Sequence, residues 1–378
     1  MTRRLLFLLN DAQFFVSHRL PLAVEAKKSG FEVHVAVPYQ KEASQEIISK
    51  GIIQHDVPLK RGSRGIIGEL KLIFSYWKLI GFIRPEIIHA VTMKPVLYGG
   101  LVARIRRIPA LINAITGLGY LFLKNNIITS VQRKIVMFLY RIALNHPNHR
   151  AIFQNLDDLE LFVSNRLVNS KNQVIIRGCG VNLDEFIDSP EPSGPTVILF
   201  PARIIGDKGI REFVAAARIL KAENNNLIFR IAGRLDPDNP TEIDEDTVSF
   251  WQSQGWVEWS GYLADMPKAF SSCHIVCMPS YREGLPRSLI EAAACGRPIV
   301  TTDVPGCREI VEHEVNGYLV PVRNADALAE ALTKLISDPS LRKIMGSRSR
   351  KIAANNFSIE KFISESFEVY RSVIKEYK

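Results

Sequence analysis

Short apolar runs alternate with amphipathic stretches through the first half of the chain. LLFLL (5–9) precedes a helical pattern from Leu20 to Lys28; FEVHVAV (31–37) precedes a second helical stretch ending near Gly51, and a further strand runs into Val57. The rhythm continues through EIIHA (86–90), ALINA (110–114) and RAIF (150–153), and predicts βαβ units building a parallel sheet. A second series begins at TVILFPA (196–202) and runs through LIFRIAG (227–233), VEWSG (257–261), HIVCMP (274–279) and RPIVTTD (297–303). Between the two lies SPEPSGP (189–195), a proline cluster that continues neither element and reads as a linker. The expected fold class is α/β, with two doubly wound Rossmann-like domains facing each other across a cleft. Residues 1–188 form the first domain and 189–357 the second, and a helix at about 358–378 returns to the first. In such sheets ligands bind outside the carboxyl ends of the strands, so function is sought in the loops that follow them.

A length of 378 residues fits two domains of similar size, and 47% hydrophobic with 23% charged residues is globular. Five cysteines (Cys179, Cys273, Cys277, Cys295, Cys307), with no CxxC pair, indicate neither a disulfide framework nor a zinc site, and fit a reducing compartment. The N-terminal apolar run is interrupted by Asn10 and Asp11, so it reads as a buried strand rather than a signal peptide. No window is long and apolar enough for a membrane span. Charge is unevenly placed: residues 1–150 hold 22 cationic and 8 anionic side chains, a balance of +14 within a whole-chain charge of +9. A basic half suits a nucleic acid, an anionic membrane or a polyanionic substrate. Zinc-finger spacing, RNP-like aromatics and Arg/Gly tracts are all missing, so no nucleic-acid partner is expected.

The chemistry concentrates after HIVCMP. The loop Ser280–Pro286 contains Glu283 and Gly284, and a helical pattern, RSLIEAAAC, begins at Arg287. Pro286 suits a helix start and Gly284 keeps the backbone approachable. The amides of Arg287, Ser288 and Leu289 are then expected to form a phosphate site at the helix N-terminus. Glu283 on the loop and Glu291 a turn into the helix are placed to bind hydroxyls beside that phosphate. Alone, an EG dipeptide is an ordinary surface feature, as are a solvated Arg and Lys. In PARIIGDKGI, however, Arg203 and Lys208 again stand between a strand and a helix, where Arg can grip a diphosphate bidentately and Lys acts as a point charge. The Asp236–Asp238 and Asp244–Asp246 triplets lie in a polar loop rather than at a strand end, so no metal is expected there.

Together these segments resemble the retaining glycosyltransferases of the GT-B fold, glycosyltransferase family 4. The signature is EGLPRSLIE, Glu283 to Glu291, followed by ACGRPIVTTDVPGCREIV and NGYLV. The resemblance implies that Glu283 binds hydroxyls of the donor sugar, Glu291 the ribose, and Arg203 with Lys208 the diphosphate. Gly284, Leu285, Pro286, Arg287 and Ser288 complete the phosphate site, and VEWSGYL, with Tyr262, lines the base pocket. The donor implied is a UDP-sugar, and catalysis is electrostatic and without metal or other cofactor. His89 matches the first histidine of a DVVHAH pattern whose second position is Val91 here, leaving a catalytic and a structural His89 both open. The glycine loop common near the family's N-terminus is replaced by Phe14–Arg19.

DAQFFVSHRLPLA, HAVTMKPVLYGG and NAITGLGY, which contain His18 and Thr116, are similar to the subgroup extending polyprenyl-diphosphate-linked sugars in O-antigen and glycan assembly, α-1,3-N-acetylgalactosaminyltransferases among them. The acceptor implied is a lipid-diphosphate-linked sugar, with the protein peripheral on the cytoplasmic face of the inner membrane. Residues 64–84 and 127–142 combine apolar stripes with Lys and Arg, which suits interfacial helices or ordinary core helices. Two other readings stay open, a non-hydrolysing UDP-sugar epimerase and a non-catalytic nucleotide-sugar binder. A dehydrogenase is disfavoured because no GxGxxG follows a strand.

Overall fold

A computed structural model of the chain describes residues 3–59, 65–117 and 127–375. The chain divides into two compact units, Met1–Cys179 with Glu360–Lys378, and Gly180–Ile359. In the first, β1 (Arg3–Leu8), β2 (Phe31–Val37), β3 (Ile53–Asp56), β4 (Ile87–Val91), β5 (Ala110–Ile115), β6 (His149–Phe153) and β7 (Gln173–Ile175) form one sheet in the order β3-β2-β1-β4-β5-β6-β7. Every neighbouring pair is parallel. The second holds β8 (Thr196–Phe200), β9 (Leu227–Ile231), β10 (Glu258–Trp259), β11 (Ile275–Met278), β12 (Ile299–Thr302) and β13 (Gly317–Val320), ordered β10-β9-β8-β11-β12-β13 and again all parallel.

Parallel strands covered by helices on both faces need apolar residues at successive positions, not alternate ones, which is why LLFLL and IVCM read as unbroken runs. All of β4, β5, β11 and β12 is buried. Helices start where a short polar side chain replaces a missing backbone acceptor: Asp11 accepts from the Phe14 amide at 2.7 Å, and Asn155 from the Asp158 amide at 2.7 Å. The five cysteines are buried free thiols.

The structure departs from the sequence expectation in two places. Strands β7 and β13 are not among the expected strands; with three and four residues each, they are too short to carry a periodicity. The boundary between units falls at Cys179/Gly180 rather than at 188/189. SPEPSGP is not a free linker, because two buried arginines fasten it to the second unit. Arg297 donates to Ser189 Oγ at 2.7 Å, and Arg342 forks onto both carboxylate oxygens of Glu191 at 2.8 and 2.9 Å. The chain crosses at two adjacent segments, where Val181 bonds both the Phe357 carbonyl and the Ile359 amide.

The last helix, Ile359–Lys375, buries Phe362, Ser366, Val369, Tyr370 and Val373, a single stripe at helical spacing. From Glu360 onward it belongs to the first unit. The Tyr370 hydroxyl meets His89 Nδ1 at 2.9 Å, the Asn148 side chain donates to the Val373 carbonyl at 2.8 Å, and the Arg19 guanidinium lies 5.2 Å from the Phe362 ring centre. Tyr370→Ala is therefore expected to cost the first unit about 3–5 kcal/mol, the usual range for emptying a buried aromatic site. Tyr370→Phe, losing only the hydroxyl contact, is expected to cost about 1 kcal/mol. Differential scanning calorimetry of both variants checks this ranking, and a wild-type melt for Tyr370→Ala would show that the helix is not part of that core.

Candidate active site

Two loops at the carboxyl ends of adjacent strands build the site on the second unit. The loop after β8 contains Arg203 and Lys208; the loop after β11 contains Glu283 and leads into the helix Arg287–Ala294. Lys208 and Glu283 form an ion pair across the loops, with side chains 19% and 12% exposed. Tyr281 adds two further ties: its amide donates to the Asp207 carbonyl at 2.9 Å and its hydroxyl to Glu212 Oε1 at 2.7 Å. Burial, reinforced by Glu212, raises the Tyr281 pKa to about 12, so the hydroxyl stays a donor. The Arg323 guanidinium covers the ring at 4.6 Å.

Close backbone contact surrounds this brace. Gly209 has φ +73°, and a Cβ there would meet the Pro279 carbonyl oxygen at 2.0 Å. Gly306, at φ +81°, passes the Gly284 carbonyl so closely that a Cβ would come within 2.5 Å. The Glu283 amide bonds the Pro305 carbonyl at 3.3 Å. Thr301 donates to the Met278 carbonyl at 2.7 Å and Thr302 to that of Ser280, so β12 satisfies the start of the loop.

At the helix start Pro286 is the N-cap, and the Leu289 amide bonds its carbonyl at 3.1 Å. That amide is spent inside the first turn, which corrects the expectation that it serves a phosphate. Gly284, Leu285 and Pro286 form the buried approach, and Arg287 and Ser288 stand half-buried at the N-terminus. Glu291 is only 6% exposed and pairs with Arg287 at 2.7 Å. Burial raises its pKa to about 7, outweighing the lowering by Arg287, so near neutrality both its acid and carboxylate forms are accessible. Arg203 pairs with Asp236, and Asp244 caps the helix Glu245–Ser253 by accepting from the Thr247 amide at 2.6 Å. The leading acid of each expected triplet therefore has a structural partner.

The family described as glycosyl transferases group 1 matches residues 182–352, and the glycosyl transferase 4-like family matches residues 4–155. The chain belongs to these glycosyltransferases. It is 28% identical over 352 residues to the N,N'-diacetylbacillosaminyl-diphospho-undecaprenol alpha-1,3-N-acetylgalactosaminyltransferase of Campylobacter jejuni, covering 90% of this chain and 91% of that one. It is 27% identical to the capsular polysaccharide biosynthesis glycosyltransferase CapM of Staphylococcus aureus, covering 93% and 92%. The fold is GT-B: the structure of Anabaena HepE in complex with UDP and glucose superposes with a TM-score of 0.76 at 19% identity, covering 98% and 100%.

Other expected positions on this glycosyltransferase lie elsewhere. Tyr262 is exposed just after β10, in a segment held to Gly233 by the Trp259 indole and the Gly261 carbonyl, both at 2.8 Å. Thr116 follows β5, half-buried. His18 ends the helix Ala12–His18, with Nδ1 2.7 Å from Ser17 Oγ and its ring stacked on Phe14. His89 is corrected: it stands in the middle of β4, 1% exposed, stacked on Phe7 and bonded to Tyr370. Burial drives its pKa well below the usual value, so it is a neutral side chain packed in the core, which favours the structural of the two readings left open. Sequence reasoning missed Tyr281, Glu212 and Arg323, whose contact becomes visible only when strand, helix and loop meet.

Removing the hydroxyl in Tyr281→Phe leaves Glu212 without its donor and loosens the brace that sets Lys208 against Glu283. A hydrogen bond to a charged group contributes about 1.5–3 kcal/mol, so turnover is expected to fall by roughly tenfold or more. Steady-state kinetics at saturating donor would reveal it, and an unchanged kcat would mean that Tyr281 does not set the loops.

Proposed function

We propose that this glycosyltransferase moves a sugar from a UDP-sugar to a polyprenyl-diphosphate-linked saccharide, with retention of configuration and no metal ion, in bacterial surface polysaccharide or glycan assembly. The observation that carries this reading is the meeting of Lys208 and Glu283 at the head of the helix Arg287–Ala294, with Arg203 on the same loop as Lys208. Lys208 and Arg203 exchange their carboxylate partners for the donor diphosphate, and Glu283, so released, accepts hydroxyls of the donor sugar. Glu291 holds the ribose. As the bond from the anomeric carbon to the phosphate oxygen breaks, negative charge grows on the departing nucleotide, and these preorganised cations with the helix terminus stabilise it. The acceptor oxygen bonds the anomeric carbon from the same face and passes its proton to the leaving phosphate. The metal-free reading is supported by these cations, which can take the diphosphate charge themselves. The lipid-diphosphate acceptor is supported by the Campylobacter relative's undecaprenol substrate, and the uridine donor by the nucleotide bound in the HepE structure.

Incubating the protein with UDP-sugars and a short polyprenyl-diphosphate-N-acetylglucosamine is expected to give transfer that survives chelator. Glu283→Ala and Lys208→Ala are expected to lose roughly a hundredfold or more in turnover, as when a transition-state contact is removed. Epimer formation without acceptor would overturn the reading in favour of an epimerase. Near-normal rates in both variants would remove the site assignment, and loss of transfer with chelator would remove the metal-free mechanism.

The acceptor's lipid calls for a membrane surface. No helix among the described residues is long and apolar enough to cross a membrane. The helix Ile66–Ile83 instead exposes Ile67, Leu70 and Phe74, by 72, 60 and 57%, beside Lys71 and Lys78. Apolar side chains at i, i+3 and i+7 flanked by ammonium groups suit the headgroup boundary of an anionic cytoplasmic leaflet. Liposome flotation is expected to show binding that weakens with salt and with neutral lipid, and that falls in Leu70→Glu/Phe74→Glu. Binding indifferent to all three would overturn the placement.

A further inference from the structure

A cavity of about 460 Å³ opens on the first unit at the carboxyl ends of β2 and β3. It falls within the roughly 300–1,000 Å³ of small-molecule sites, and its position beyond parallel strand ends is where ligands of such sheets bind. Tyr39 follows β2 with its ring 61% exposed, and its amide is fixed by Asp56 Oδ1 at 2.9 Å, which ties the end of β2 to that of β3. Leu59 and Leu72 supply buried apolar wall. Glu69 and Lys94 pair on the lining at 2.7 Å.

The segment that delivers Lys94 is strained. Thr92 just after β4 has φ +73°, in the left-handed region a β-branched side chain avoids, and its hydroxyl is buried with no hydrogen bond. Such a conformation costs about 1–3 kcal/mol and persists where the surroundings require it. Directly after Lys94 the chain makes a π-helical turn, Pro95–Gly99, a rare form that concentrates at functional sites.

The lining's charge selects its ligand. Asp56 and Glu69 balance Lys71 and Lys94, so an isolated anion gains little, whereas a neutral ring bearing many hydroxyls finds two carboxylates to accept from it, ammonium groups to donate to it, and Tyr39 with two leucines against its C–H face. We propose that this cavity binds a pyranose of the acceptor saccharide. The proposal rests on the reading of the chain as a transferase to a saccharide acceptor, and names where that saccharide is held.

Saturation-transfer NMR on the full chain with N-acetylglucosamine and with glucose, in the absence of donor, tests it directly. The expected result is saturation of at least one sugar by the wild type that is lost in Tyr39→Ala and in Asp56→Asn, with UDP binding and melting temperature unchanged. No saturation in the wild type, or equal saturation in both variants, would overturn the proposal. Should Asp56→Asn melt early, Tyr39→Ala decides, because its ring is exposed. The acceptor KM separates the two readings. A raised acceptor KM with donor KM unchanged in Tyr39→Ala supports the cavity; transfer with unaltered acceptor KM removes the cavity alone. Sugar binding without transfer to any polyprenyl-linked acceptor removes the proposed acceptor class and leaves the cavity standing.

Discussion

Glu283 and Lys208 are both largely withdrawn from water, and neither charge is tolerable there without the other or a replacement of the same sign. Truncating one partner of such a pair leaves an uncompensated charge, at a cost of several kcal/mol. The surrounding structure holds the two together: the Tyr281 ties and the tight passage of Gly209 beneath Pro279 fix one loop against the other, and the contact of Gly306 with Gly284 backs the second from the loop after β12. The same dependence makes the site responsive. On the proposed reading, a diphosphate that takes Lys208 is matched by hydroxyls that take Glu283, which would couple recognition of two parts of one donor.

Much of this architecture was legible because parallel strands bury both faces. The runs at 5–9, 197–200 and 275–278 are apolar at successive positions, and the loops after the last two are where Arg203, Lys208 and Glu283 stand. What the sequence hid depends on partners remote along the chain. SPEPSGP has the composition of a linker, and nothing local signals that Arg297 and Arg342 will pin it. His89 carries the residue type of a catalytic base, yet the helix that seals it away lies 281 positions later. Tyr281 shows the converse, an unremarkable loop residue whose role exists only once Glu212 and Arg323 surround it.

The two units divide the chemistry by charge. The basic first half carries the strained loop after β4 and the exposed stripe of Ile67, Leu70 and Phe74; the second, less basic, carries two opposed ion pairs at its strand ends. Under the proposed function, separate sheets would allow a nucleotide donor and a lipid-borne saccharide each its own electrostatic setting.

The return of the final helix to the first unit reverses the order in which the protein is completed. Domains generally fold from the N-terminus as they are synthesised, but here the strand bearing His89 waits for Tyr370, and the second unit is made in between. The half that leaves the ribosome first is the half finished last. A nascent chain therefore exposes the apolar face around Phe7 and His89 until the helix Ile359–Lys375 is made, and removing that helix would damage the first unit.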